Sequence, residues 1–231
     1  MKQKLILVFV FVSFTLIAKA QGNIGLHVGA SFPLGEFAAD NSDYSGSAGT
    51  GLNVGIKYFY PVSTCKGLSL TAGIDFLDNG LNQNTKDNLK NQTNIAGVSN
   101  ISINYSEYIN IPLLVGFNYN FPVDKTFTLF GDAALGVNYS TITDLSILFK
   151  YQGTQLKSTE TFTPLTKLAF QFGGGLLIQN TYTIGLHYNM LGSYAFKTKT
   201  TNETSGQSQT INGSDADVKI NTLTLEVGIR F

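Results

Sequence analysis

Residues 223–231 read LTLEVGIRF and end on an aromatic ring. Side chains of an extended chain alternate between two faces, so Leu223, Leu225, Val227, Ile229 and Phe231 share one side, and Thr224, Glu226, Gly228 and Arg230 the other. In a water-soluble sheet the apolar side turns into a core. In a membrane barrel it turns outward to lipid, and the charged side lines the interior.

Seven further segments repeat the period of two. Ile24, Leu26, Val28, Ala30 and Phe32 alternate with small or polar residues, as do Leu52, Val54, Ile56, Tyr58 and Tyr60, and then Leu68, Leu70, Ala72, Ile74 and Phe76. Ile109, Ile111, Leu113, Val115, Phe117 and Tyr119 continue a phase that runs upstream through Ile101, Ile103 and Tyr105. This predicts one strand over about 100–120, longer than the roughly 9–11 residues that cross a bilayer, with its upper part projecting beyond it. Phe127, Leu129, Ala133, Leu135, Val137 and Tyr139 form the fifth strand. Leu168, Phe170, Phe172 and Leu176 form the sixth, and Tyr182, Ile184, Leu186, Tyr188 and Met190 the seventh. Including 223–231, eight strands each carry one apolar face.

The connections separate a barrel from a sandwich. Short turns near 61–67, 120–125 and 179–180 alternate with long polar segments at 33–47, 78–100, 140–160 and 191–217. Both termini and every short turn then lie at one end, the asymmetry of outer-membrane barrels. Aromatics predict two girdles: Tyr58, Tyr60, Tyr119, Phe121, Phe127, Tyr182 and Phe231 near the short turns, and Tyr105, Tyr108, Tyr139, Tyr188 and Tyr194 near the long loops. Hydrocarbon leaves no water to pair with backbone groups, so the sheet must close and the last strand must pair with the first.

Residues 1–20, MKQKLILVFVFVSFTLIAKA, read as a cleaved export signal: Lys2 and Lys4, an apolar run shorter than a spanning helix, and Ala18 and Ala20 before the cut. Its removal takes Lys2, Lys4 and Lys19, leaving 12 basic and 15 acidic residues and a net charge of −3. No basic footprint for nucleic acid remains. Cys65, the single cysteine, allows no internal disulfide and reads as a turn residue.

The export signal, the eight strands, the segment YINIPLLVGFNYNF at 108–121 and the terminal LTLEVGIRF together resemble the PorT-like outer-membrane beta-barrel family of Bacteroidota, with Ile111, Pro112, Leu113 and Leu114 matching a common strand entry. The resemblance implies a small barrel in a Gram-negative outer membrane and no shared catalytic set. The terminal Phe231 also resembles the assembly signal that such barrels present to their insertion machinery.

The reading is therefore an all-β, eight-stranded antiparallel up-and-down transmembrane barrel over residues 21–231, with short periplasmic turns and long extracellular loops. An eight-stranded barrel is just wide enough for side chains to fill. Strand parity turns Lys57, Asp75, Asp132, Glu226 and Arg230 inward as a lumenal polar network, with Lys167 near the upper rim. The many inward glycines either make room for these groups or leave a cavity. His27 and His187 face inward on the first and seventh strands, and direct contact across the eighth is not expected. They read as structural, without cofactor, metal or catalytic partner. The loops, rich in Asn, Thr, Ser, Gln and Gly, predict solvated, weakly ordered segments. The function expected is non-enzymatic, structural or loop-mediated at the surface, with outer-membrane lipids, the insertion machinery and an extracellular or periplasmic protein as partners. The alternatives are a narrow channel or carrier for a small solute, polar or hydrophobic, and, less favoured, a lipid-modifying envelope enzyme.

Overall fold

A computed structural model describes residues 22–40, 46–93, 96–204, 207–214 and 217–231, so the export signal expected in 1–20 lies outside the described residues. Eight strands close into an antiparallel barrel: β1 (Asn23–Leu34), β2 (Gly51–Pro61), β3 (Leu68–Gly80), β5 (Glu107–Pro122), β6 (Phe127–Ile142), β9 (Leu165–Ile178), β10 (Tyr182–Tyr194) and β13 (Val218–Arg230). The last strand pairs with the first from Gly25 opposite Arg230 to Leu34 opposite Asn221, and the backbones of Ile24 and Phe231 bond reciprocally below that ladder. No strand edge is left in the wall.

The faces follow the alternation. Leu113, Val115, Phe117, Leu135, Leu168 and Val227 each leave more than half of their surface outside, whereas Asn53, Asn110, Asn118 and Asn138 inside are at most 1% exposed. Apolar outside and polar inside is the inverse of a soluble domain and places the protein in an outer membrane. Tyr60, Phe121, Phe127, Tyr182 and Phe231 form an exposed ring at the short-turn end. The turns there are built locally: Asp124 accepts from the backbone of Thr126 and Phe127 at 2.6 and 2.7 Å, and Gln179 and Asn180, both left-handed, sit in a three-residue hairpin loop closed by Thr181 N donating to Ile178 O at 3.0 Å.

The other end differs from expectation. The long segments contain α1 (Gln83–Gln92) and a second, five-stranded sheet: β4 (Val98–Asn104), β7 (Leu145–Tyr151), β8 (Thr154–Phe162), β11 (Lys197–Thr204) and β12 (Gln207–Ser214). Their order, β12-β11-β8-β7-β4, repeats that of the barrel strands they adjoin in sequence, β13-β10-β9-β6-β5. Five neighbouring strands of the wall thus continue upward as a half wall, while β1, β2 and β3 do not. Composition alone predicts solvated loops here, but backbone pairing extended from a rigid template orders segments whose side chains are polar.

The continuous strand expected over 100–120 is broken at Tyr105 and Ser106. The phase does not survive the break: Ile109 faces lipid, whereas Ile103 pairs with Ile147 on the side of the half wall that bears Phe162, which packs against the core.

Candidate functional site

The lumen is filled in two layers. In the lower, Lys57 Nζ on β2 lies 3.1 Å from Asp132 Oδ2 on β6 and donates to Gln171 on β9, also at 3.1 Å. His187 on β10 sits between carboxylates, with Nε2 3.2 Å from Asp132 and Nδ1 3.2 Å from Glu226. His27 on β1 is 2.8 Å from Asp75 and 3.8 Å from Glu226. Glu226 also accepts from Asn53 at 2.8 Å and Thr224 at 2.7 Å. One permanent cation and two imidazoles therefore face three carboxylates, a pairing that lets a buried polar layer persist.

Of the five residues singled out by parity, Lys57, Asp75, Asp132 and Glu226 converge. Arg230 stands apart near the lower mouth, its guanidinium 3.8 Å over the Phe59 ring and its Nε without a hydrogen-bond partner. The two histidines were not expected to meet across β13, yet both reach Glu226. The ladder explains this: Glu226 lies opposite Gly29 of β1 and Gly185 of β10, so no side chain blocks the diagonal approach of either imidazole.

The same rule holds around the layer. Lys57 faces Gly25 and Gly73, Asp75 faces Gly55, Asp132 faces Gly173, and Arg230 faces Gly25. A Cβ at Gly55 would collide with the Asp75 carboxylate and the His27 ring. The inward glycines are thus occupied space, and the cavity left between the charges is about 40 Å³, room for a few waters.

The upper layer is an apolar stopper that parity did not indicate. A single 3-10 turn, Gly35–Phe37, folds the Phe37 ring into the mouth, where it is 0% exposed and meets Tyr108 edge-on at 5.0 Å. Tyr194 and Phe196 stack at 5.4 Å beside it, and Leu77, Leu114, Leu191 and Ile220 complete the cluster. Tyr108 and Tyr194, expected in the upper girdle, therefore belong to the interior. Tyr108 falls on the inward, even-numbered phase of β5, and Tyr194 is redirected by the register shift between Met190 and Gly192. Lys167 remains exposed at the rim. Between the layers Asn138 donates to Asn110 at 2.9 Å and to the Tyr194 hydroxyl at 2.8 Å.

A concavity of about 670 Å³ lies on the outer wall against Leu70, Val115, Phe117, Leu135, Phe170 and Met190. It opens to lipid. No group of three or more His, Cys, Asp or Glu suited to a metal ion occurs among the described residues. Cys65 is a free, exposed thiol in the first short turn.

No protein-family model and no curated protein matches the chain. Solved structures of similar shape include a major outer membrane protein from Thermus thermophilus (12% identity, 91% of this chain and 99% of that one, TM-score 0.49). Neisserial surface protein A is 13% identical over 90% of this chain and 93% of its own, with a TM-score of 0.44. The attachment invasion locus protein Ail of Yersinia pestis, in complex with the heparin analogue sucrose octasulfate, is 13% identical over 91% and 99%, with a TM-score of 0.43. These are likenesses of fold alone. The PorT-like membership, and the Bacteroidota source it carried, are not upheld: no family model matches the chain, and the solved structures of similar shape are other small outer-membrane proteins. In the IPLL segment Leu113 faces lipid, while Pro112 and Leu114 are buried inside.

Proposed function

We propose that the mature chain, residues 21–231 after loss of an export signal, is a non-enzymatic outer-membrane protein that works through its extracellular half wall, with the packed lumen as its strut. The observation that carries this reading is the pairing of a filled lumen with an ordered, open-edged sheet above it. The cavity among the charges, about 40 Å³, is too small for an organic solute and lies beneath a packed apolar layer, while β12 and β4 each offer an unpaired edge in the five-stranded sheet. Lys57, Asp75, Asp132, Glu226 and Arg230 are structural in this reading, and the exposed Phe231, at the foot of β13, is the assembly signal read by the insertion machinery. The partner of the half wall is an extracellular molecule.

Planar-bilayer recording tests the closed lumen: the protein gives no steady unitary conductance, and a reproducible open level would favour a channel instead. Excision tests the half wall. Tyr194 and Val218 are register partners, so a short turn can replace 195–217 without disturbing the ladder below. The shortened chain should retain the heat-modifiable migration of a folded barrel and lose adhesion of expressing cells to host or bacterial surfaces. Adhesion equal to that of the full chain would overturn the reading. Intact mass of the membrane-extracted protein, beginning at Gln21, tests the export signal.

A further inference from the structure

The two faces of the half wall differ sharply. Register pairs put Lys197 and Lys199 of β11, Lys157 of β8 and Lys150 of β7 on one face, with Glu203 the single acidic residue among its described positions. Apart from Leu148, the positions between them are Ser, Thr, Asn or Gln, such as Thr159, Thr161, Thr201 and Asn212. All four lysines are exposed, and the ion pair that this face does contain, Lys157 to Glu203, is a long 4.0 Å. The opposite face carries Ile147, Phe149, Leu156 and Phe162 and joins the stopper. The cationic, hydroxyl-rich side is therefore turned away from the mouth.

Its placement selects its neighbours. The half wall continues the barrel strands, so its outward face is the upward extension of the lipid-facing wall and looks sideways over the leaflet. What lies beside it is the headgroup layer of the surrounding lipids. We propose that this face binds the phosphate-bearing saccharide headgroup of outer-leaflet glycolipid, the lysines meeting phosphates and the Ser, Thr, Asn and Gln side chains meeting sugar hydroxyls. A lysine ammonium is a compact charge on a flexible stem, suited to phosphates whose spacing is not fixed. Cations held near an anionic membrane surface act together in this way. This goes beyond the proposed function: it concerns anchoring to the membrane's own surface, and it stands whichever molecule the free edges and the inner face engage.

The test uses the full mature chain folded into zwitterionic vesicles doped with a rough glycolipid carrying a phosphorylated core, or with the same glycolipid after dephosphorylation. The glycolipid that co-isolates with the barrel is quantified by mass spectrometry. The wild type should retain about tenfold more of the phosphorylated form, given roughly fivefold per lysine at an anionic surface less the losses of exposure, and the excess should fall as salt is raised. The variant Lys150→Gln/Lys157→Gln/Lys197→Gln/Lys199→Gln should fall to the dephosphorylated level, while Lys86→Gln/Lys90→Gln on α1 should match the wild type. Equal retention by wild type and fourfold variant, or equal retention of both glycolipids, overturns the proposal. Competition by the soluble phosphorylated core as strong as that of the glycolipid itself overturns the assignment to the leaflet and points to a free anionic glycan. Should the fourfold variant fold poorly, the pairs Lys150→Gln/Lys157→Gln and Lys197→Gln/Lys199→Gln decide the question in the same assay.

Discussion

Each buried charge in the lower lumen is accompanied by a glycine across the ladder, and that pairing sets what single substitutions do. At Gly55 the missing side chain is replaced by Asp75 and His27, so Gly55→Val must displace a carboxylate and an imidazole that already hold each other. A loss of about 1–3 kcal/mol is expected from overpacking alone, read as a lower urea midpoint for unfolding in detergent. Gly131 is the control: its nearest neighbour for an added Cβ is Gly173 O at 3.9 Å, on the lipid side, and Gly131→Ala should leave the midpoint unchanged. Among the charges, Glu226 holds the most partners. Glu226→Gln removes the carboxylate facing both imidazoles while Asn53 and Thr224 still point at it. Breaking a buried charge pair from one side costs about 3–5 kcal/mol. Arg230→Gln, which removes a stacking contact on Phe59 rather than an ion pair, should cost no more than about 2 kcal/mol. Equal midpoints for these two variants would mean that Glu226 is not the centre of the layer.

At the scale of the strand, the alternation of apolar and polar residues carries its meaning only where backbone phase is unbroken. All eight barrel strands are legible for that reason, and Leu113→Arg therefore has a definite outcome. A guanidinium in the middle of the lipid face costs about 2–4 kcal/mol, so assembly into the membrane should fall, as read by the fraction of heat-modifiable protein in extracted envelopes. Thr201→Arg, on the outward face of β11, should assemble normally. Equal yields would contradict the assignment of faces. The half wall was not legible, because β11 and β12 are rich in Asn, Thr and Ser and carry no apolar period that marks a strand in isolation, while the alternation of Leu145, Ile147 and Phe149 in β7 is too short a run between polar residues to stand alone. Their order comes from the strands beneath them. The phase break at Tyr105 and Ser106 similarly has no signature in the alternation itself, which continues through Ile101 and Ile103 as though nothing intervened.

For the whole molecule, the lumen is closed twice by different physics, and sequence parity reveals one closure only. The charges of the lower layer are inward by strand phase and can be read directly. Phe37 lies beyond the end of β1, where period-two reasoning stops, and nothing local announces that its ring returns to fill the mouth. Tyr108 was legible by its even number, since Ile109 beside it faces lipid, but its aromatic character invited placement in a girdle. The double closure makes a prediction that neither layer makes alone. Phe37→Ala opens the stopper and costs about 3–5 kcal/mol as a large-to-small change at a fully buried site. It should nevertheless pass no steady current, because Lys57, Asp132, Gln171, His187 and Glu226 still bridge the lumen below. Conversely, Lys57→Ala/Asp132→Ala loosens the lower layer beneath an intact stopper and should also remain silent. Only the combined Phe37→Ala/Lys57→Ala/Asp132→Ala chain is expected to show conductance in planar bilayers, if it folds to the heat-modifiable form. A conducting Phe37→Ala variant would show that the polar layer parts readily, and would move the protein towards a gated path with the aromatic turn as its gate.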